Sequence, residues 1–311
     1  MRQITNSILM IRPDGIRANE QTAVNNYFQK QIAGPAGEIN DLAQREFDEF
    51  VTKLLAVGIN VIVDLVGATS DTPDAVFPNN WVSFHENGDA VVYPMFAENR
   101  RTERRDEVFE LLERNKYRIS NVIDYTSAEE EGLFLEGTGS LILDRENKKA
   151  YCALSPRADE DLVIEFCEDF EYTPVIFNAN QTFKGKRLPI YHTNVMMCIA
   201  ETFAVICISS IDDKKERKQV LQSLKEDGKE IIDITEAQMN QFAGNMLQVI
   251  GKNEERFLVM SFSAYNSLRP DQVEKIERHC SVLYSDISTI ETLGGGSARC
   301  MMAEVFLPSV S

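Results

Sequence analysis

Asn79-Asn80-Trp81-Val82-Ser83-Phe84-His85-Glu86-Asn87-Gly88-Asp89-Ala90-Val91-Val92-Tyr93 is the stretch on which the fold turns. Two β-prone apolar runs, 81–85 and 90–93, flank a polar turn centred on Asn87-Gly88, and Asn-Gly readily takes the positive φ angles of a tight hairpin. Downstream, 103–115 sets Val108, Leu111 and Leu112 on one helical face, and 118–123 reads as another strand. The unit is strand, strand, helix, strand.

The same plan recurs along the chain. A second copy opens at Glu136, with strands at 140–143 and 150–154, a helix at 160–169 and a strand at 175–177. A third opens at His192, with strands at 195–199 and 203–208, a helix at 214–227 and a strand at 230–234. A fourth opens near Gly244-Asn245, with strands at 246–250 and 257–261, a helix at 270–279 and a strand at 281–285. Each end keeps a fragment: a strand at 300–307, and a strand at 7–11, a helix at 41–57 and a strand at 59–63. Joined head to tail, the fragments complete a fifth copy. Self-similarity at a fixed period marks a repeat architecture. We read a single α/β domain over 1–311, a closed ring of five modules whose termini meet and whose closure hides strand edges. An ordinary mixed α/β sheet with accidental periodicity is the alternative.

The period also predicts a site. Asn80 to Glu136 is 56 residues, Glu136 to His192 is 56, and His192 to Cys300 is 108, twice 54. Equivalent positions in a ring face one axis, so these four side chains are expected to converge. A cysteine nucleophile needs thiolate character, which a neighbouring imidazolium or N–H donors supply. Cys300 follows Gly294-Gly295-Gly296-Ser297, a run that lets backbone approach a ligand closely. The other five cysteines lie inside apolar patterns and read as small buried hydrophobes. Of the three histidines, His85 ends a strand and His279 ends a helix, while His192 shares its register with Glu136, a carboxylate suited to orienting an imidazole.

Composition narrows the class. The chain has 311 residues, 43% of them hydrophobic, enough for a sizeable core, and 26% charged. Lys plus Arg is 32 against 49 Asp plus Glu, a net charge of −17 that repels nucleic-acid phosphates and anionic membranes. The one basic cluster, Lys214, Lys215, Arg217 and Lys218, reads as a solvated helix start. Six cysteines without a CxxC pair, and an N-terminus without a signal-type apolar run, suggest a reduced, cytoplasmic compartment. The longest apolar region, 195–208, is broken by Glu201 and too short to span a bilayer. The run 293–297 lacks the Lys-Ser/Thr of a phosphate loop, and the histidines and cysteines show no metal-ligand spacing.

Five motifs, taken in order, carry a resemblance: Pro73-Asp74-Ala75-Val76-Phe77-Pro78-Asn79-Asn80, Leu135-Glu136-Gly137-Thr138-Gly139-Ser140, Ser155-Pro156-Arg157, His192-Thr193-Asn194 and the glycine-rich lead to Cys300. Together they resemble the guanidino-group-modifying superfamily of arginine deiminases, dimethylarginine dimethylaminohydrolases and amidinotransferases, with its five-bladed ββαβ pentein propeller. The nearest branch looks like the amidinotransferase-related hydrolases linked to citrulline utilisation. The resemblance implies covalent catalysis without a cofactor: Cys300 attacks an amidino or ureido carbon, His192 protonates the departing nitrogen and then activates water, and Glu136 holds His192. It implies substrate contacts from Asp74, Phe77, Asn79, Asn80, Asn194 and Arg157, with Arg157 as a carboxylate clamp, and a second carboxylate contact from Arg105 of the pair Arg104-Arg105. A homodimer is a family-level expectation, and 16–40 is the candidate lid.

Two departures bear on substrate. Relatives place acidic residues where this chain has Asn79 and Asn80, and many have His-x-Asp where it has His192-Thr193-Asn194. Amides remove the charge that attracts a cation, yet both donate and accept. The expected substrate is therefore a neutral ureido compound such as citrulline, or a modified guanidine. Amidino transfer to an amine, and a non-catalytic pentein acting as a binding module, are the alternatives. The retained Cys, His and Glu argue against the second of these.

Overall fold

The computed structural model describes residues 2–65 and 71–310. Ile8-Leu9-Met10-Ile11 is a continuous apolar run, the signature of a strand covered on both faces. It lies in β1 (Ser7–Ile11), all of which is buried. The helix Ala36–Ala56 follows, its stripe of Ala43, Phe47, Phe50 and Leu54 at helical spacing turned inward. It delivers β2 (Asn60–Asp64) parallel to β1.

The hairpin comes next. β3 (Val82–Phe84) and β4 (Asp89–Val92) run antiparallel, and His85 N–H donates to Asp89 O at 2.9 Å across the turn. Gly88 holds φ 92° there, and a Cβ on it would stand 2.5 Å from Ser120 Oγ, so this turn needs glycine twice over. After the helix Asp106–Arg114, β5 (Asn121–Asp124) pairs parallel with β4. The pattern repeats with β6 (Leu141–Asp144), β7 (Lys149–Ala153), the helix Glu160–Phe170 and β8 (Thr173–Phe177). A two-stranded hairpin, β9 (Asn180–Phe183) and β10 (Lys186–Pro189), interrupts it. β11 (Met197–Ile199), β12 (Phe203–Ile206), the helix Lys214–Glu226 and β13 (Glu230–Asp233) follow. Then come β14 (Leu247–Ile250), β15 (Arg256–Ser261), the helix Pro270–Glu277 and β16 (Ser281–Ser285). Finally β17 (Ala303–Glu304) lies antiparallel to β1, so one sheet draws strands from both ends of the chain.

Among the described residues there are thus five three-stranded sheets of one pattern: an antiparallel pair, a helix, and a third strand parallel to the middle one. Four apolar clusters link them. One apolar cluster joins β1 and β17 to β3 and β4 through Leu9, Val82 and Ala303. A second joins β4 to β6 and β7, a third joins β7 and β8 to β11, β12 and β15, and a fourth returns from β14 and β15 to β1.

Several local expectations needed correction. The strand expected at 300–307 shrinks to Ala303–Glu304, and Cys300 sits in a turn in which its N–H donates to Ser297 O at 3.0 Å. The glycine run leads into that turn rather than a strand; it ends the helix Ser288–Gly294, with Gly295 at φ 62° as its cap. His192 caps the short helical turn Thr193–Met196 ahead of β11. Glu103 falls outside the helix expected to start there, because Glu98–Arg101 forms its own turn. Among the described residues, no helix is long and apolar enough to cross a membrane.

Candidate active site

Each sheet is entered through a turn, and those turns bring the expected polar residues together. Asn79 and Asn80 lie in Pro78–Asn80 before β3, Glu136 caps Gly137–Ser140 before β6, and His192 caps Thr193–Met196 before β11. Glycine makes their approach possible. A Cβ on Gly139 would lie 2.4 Å from Asn80 Nδ2 and 2.9 Å from His192 Nδ1, and one on Gly137 would lie 2.4 Å from Asn79 O. The Glu-Gly-Thr-Gly motif is small so that three turns can touch.

Glu136 is the electrostatic centre. Its Oε2 lies 2.6 Å from His192 Nε2, 3.4 Å from Arg157 Nη1 and 3.8 Å from Arg100 Nη1, while Oε1 accepts from Phe96 N–H at 3.1 Å. Burial alone would raise this carboxyl, but Arg157, His192 and Arg100 together hold it well below the usual carboxylate range. Desolvation pushes His192 the other way from a paired histidine, down to about 4, against the pull of Glu136 and with the push of Arg157 and Arg100. The resting pair is therefore a carboxylate and a neutral imidazole, with Nε2–H donating to Glu136 and Nδ1 left as the basic atom.

Cys300 is 2% exposed and ringed by amides. Its sulfur lies 3.3 Å from Asn194 Nδ2 and 3.2 Å from Asn245 Nδ2. Asn194 projects from the turn that His192 caps, so the imidazole and the sulfur are joined through two residues of backbone. Its Oδ1 is buried and finds no hydrogen-bond partner among the described residues, an acceptor available to a substrate N–H. Phe77 fills the space the glycine run leaves open: a Cβ on Gly294 would be 2.5 Å from Phe77 Cε2.

Residues of the segment 16–40 contact the site. The Arg157 guanidinium packs 4.9 Å from the Tyr191 ring centroid. It donates from Nε to Asn25 Oδ1 at 2.9 Å and from Nη2 to Thr22 O at 3.0 Å, so lid groups occupy the fork expected to clamp a carboxylate. Asp74 Oδ2 accepts from Asn19 Nδ2 at 2.8 Å and Thr22 Oγ1 at 3.2 Å, while Oδ1 finds no partner among the described residues. Burial raises the Asp74 carboxyl, with Arg100 opposing.

Arg105 is a correction. Its guanidinium pairs with Asp64 at the end of β2, and Arg104 pairs with Glu129, so neither reaches the Glu136 cluster. Arg100 does. It is 2% exposed, gripped by both Glu103 oxygens at 2.9 Å, and donates to Asn80 Oδ1 at 2.9 Å. Sequence reasoning missed Arg100 because four arginines stand at 100, 101, 104 and 105, and only the local turn Glu98–Arg101 decides which points inward. Asn245 and the lid partners Thr22 and Asn25 were also missed, although Asn245 falls on the repeat period. Among the described residues no group of three or more His, Cys, Asp or Glu is placed to hold a metal ion.

A sulfur under two amide donors, a neutral imidazole on a carboxylate and a buried guanidinium fork can attack an electrophilic carbon, move protons and grip an anion. Comparison with known proteins points the same way. A family model described as N,N dimethylarginine dimethylhydrolase, eukaryotic, matches residues 12–307. Among solved structures, the N-terminal domain of ArgZ, an arginine dihydrolase from the ornithine-ammonia cycle in cyanobacteria, is similar in a substrate-bound cysteine-to-serine mutant. Its TM-score is 0.72 and its identity 18%, over 97% of this chain and 99% of that one. Apo ArgZ gives a TM-score of 0.73 at 16% identity; 98% of this chain is covered but 41% of ArgZ, so the chain spans about two fifths of that relative's length. A dimethylarginine dimethylaminohydrolase in its histidine-to-glycine adduct with S-methyl-L-thiocitrulline gives 0.63 and 16%, over 97% and 99%. At these identities the structural likeness establishes the fold. No curated protein matches the chain.

Proposed function

Because the chain belongs to the eukaryotic N,N-dimethylarginine dimethylhydrolase family, within the guanidino-modifying pentein superfamily, we propose that it hydrolyses a ureido or modified guanidino group on an arginine-derived amino acid through Cys300. It is a hydrolase of amidino-type C–N bonds; the finer assignment follows from its own residues. The sulfur of Cys300 attacks the central carbon as its proton passes to His192, the C–N bond to the departing nitrogen breaks, and His192 hands that proton to the nitrogen. Water, giving its proton to His192, then displaces the sulfur and regenerates the thiol. Glu136 fixes the imidazole tautomer and takes a hydrogen bond from a substrate nitrogen. Asp74 and Arg157 receive the ammonium and carboxylate of the amino-acid end once the lid residues yield, a role that suits the bidentate Arg fork.

What most supports this reading is the 2.6 Å Glu136–His192 contact, one turn from a sulfur under two amide donors. The choice of a neutral group rests on Asn79 and Asn80. Asn79 Oδ1 accepts from Asn80 Nδ2, and Asn80 Oδ1 accepts from Arg100, so a guanidinium would meet amides backed by a positive charge. Five sheets of one pattern support a single catalytic domain shaped as a five-bladed ββαβ propeller with pseudo-fivefold symmetry, its fifth module divided between the termini.

The test is a panel of arginine, citrulline, methylated arginines and succinylarginine, followed by ammonia release and product mass. Turnover of a ureido or modified guanidino substrate above that of free arginine is expected. A large preference for free arginine would overturn the substrate assignment.

A further inference from the structure

The five sheets are entered by five turns, and four of those turns carry residues whose roles are described above, namely Asn80, Glu136, His192 and Cys300. The fifth position belongs to Asn245, two residues before Leu247 opens β14 and 55 residues ahead of Cys300. Asn245 is fully buried, and all its polar capacity is directed at the nucleophile's surroundings. Nδ2 lies 3.2 Å from Cys300 Sγ and 3.0 Å from Asn194 O, and Oδ1 accepts from the N–H of Arg299, the residue before the nucleophile, at 3.0 Å. One side chain thus fixes the backbone on both sides of the sulfur and presents a donor to it.

We propose that Asn245 stabilises Cys300 as a thiolate and aims it, acting with Asn194 as a two-amide cradle for the sulfur. The inference rests on the reading of Cys300 as nucleophile and deepens it. In the step concerned the S–H bond breaks and both electrons stay on sulfur. In the free enzyme, where alkylation is read, the proton passes to solvent; during turnover it passes to His192, which returns it to the departing nitrogen. A neutral His192 leaves sulfur without a cation held for it, so the stabilisation falls to N–H donors, which favour the charged form of an acceptor. Other charges are accounted for. Tyr191 faces Cys300, Arg157, Asp74 and Glu136 together, and its hydroxyl donates to Gly295 O. Arg299 turns its guanidinium away, to Met302 O and Glu304. Packing alone would not require a carboxamide here; Asn245→Asp keeps the shape and removes the donor.

The experiment measures the pH dependence of Cys300 alkylation by iodoacetamide in the full chain, with Cys300→Ala subtracting labelling elsewhere. Comparing rates across pH within each variant cancels the lid's gating of access. In Asn245→Asp, and again in Asn245→Ala, the midpoint should rise by about one to two pH units, the span expected from one lost charge-assisted hydrogen bond, with kcat down at least tenfold. Asn245→Ser, which keeps a short donor, should fall between these and the wild type. Midpoints unchanged in whichever of these variants folds would overturn the inference. Turnover by Cys300→Ser at the wild-type rate would instead overturn the nucleophile assignment, so the two failures are told apart.

Discussion

His192 and Glu136 are tuned against each other by what surrounds them, and that tuning has a measurable sign. Glu136 is held ionised by two guanidinium groups, and His192, desolvated and facing the same arginines, is held neutral. An unfolded histidine takes a proton near pH 6.5, whereas His192 in the fold resists one until about 4. The neutral imidazole therefore contributes stability that is complete above about pH 6.5 and is lost as pH falls from there toward 4. The lowered Glu136 value adds a loss of the same sign at still lower pH. Melting curves between pH 7 and 4.5 should show His192→Gln losing less stability than the wild type, by roughly 2 kcal/mol. Equal losses in both proteins would mean that His192 is not held neutral. At this scale the meeting of Glu136 and His192, 2.6 Å apart, was anticipated by their shared period and by the motifs in which they and Cys300 stand. Arg100 was not legible, because its inward direction depends on a four-residue turn among neighbouring arginines. Asn245 was visible as the opening of a module, but an asparagine announces no chemistry until a sulfur is found 3.2 Å away.

The element packed against the site residues is the segment between β1 and the helix Ala36–Ala56. It is held by side chains rather than by strands: Asn26 Nδ2 donates to Gly294 O at 3.2 Å, Phe28 packs on Phe242 at 5.2 Å, and Tyr27 stacks on Phe183 of β9 at 4.6 Å. A segment so attached opens at lower cost than the sheets do. Tyr27→Ala removes an aromatic pair worth about 0.5–1.5 kcal/mol, so trypsin cleavage at Arg17 and Lys30 should quicken roughly 2- to 12-fold. Cleavage at the wild-type rate would show that the Tyr27–Phe183 stack does not latch the segment. Helices with strong apolar stripes were readable to within a few residues, as at Glu160–Phe170 and Lys214–Glu226. The hairpin of β9 and β10 was not, because Asn180-Gln181-Thr182-Phe183 carries little apolar alternation and owes its order to the lid and to Arg187 pairing with Asp212 and Glu236. Cys300 was assigned to a strand because 301–303 look strand-like; Met301 and Met302 are buried within the turn instead, and the strand begins only at Ala303.

At the scale of the whole molecule, β1 is the strand that joins the two ends of the chain in one sheet. It is flanked by β17 from the C-terminal end and by β2, and Ile8 is fully buried in the cluster that reaches back from β14 and β15. If the five sheets form one cooperative domain, Ile8→Ala should lower stability by about 2–4 kcal/mol. The denaturation curves followed by Trp81 fluorescence and by far-UV circular dichroism should shift together. Separated curves would show that the sheets near Trp81 unfold apart from the rest. Repetition made this architecture readable: each copy cannot cover its own apolar face, so five weak patterns imply one another.

Covalent catalysis here requires the sulfur of Cys300 to carry the substrate carbon. Enzyme mixed with a turned-over substrate, quenched in acid during the steady state and measured as intact and digested protein, should show a mass gain confined to the peptide bearing Cys300. The gain should increase when His192→Gly slows attack by water, and it should vanish in Cys300→Ser. Turnover with no such adduct in either the wild type or His192→Gly, or an adduct on any of the other five cysteines, would contradict it.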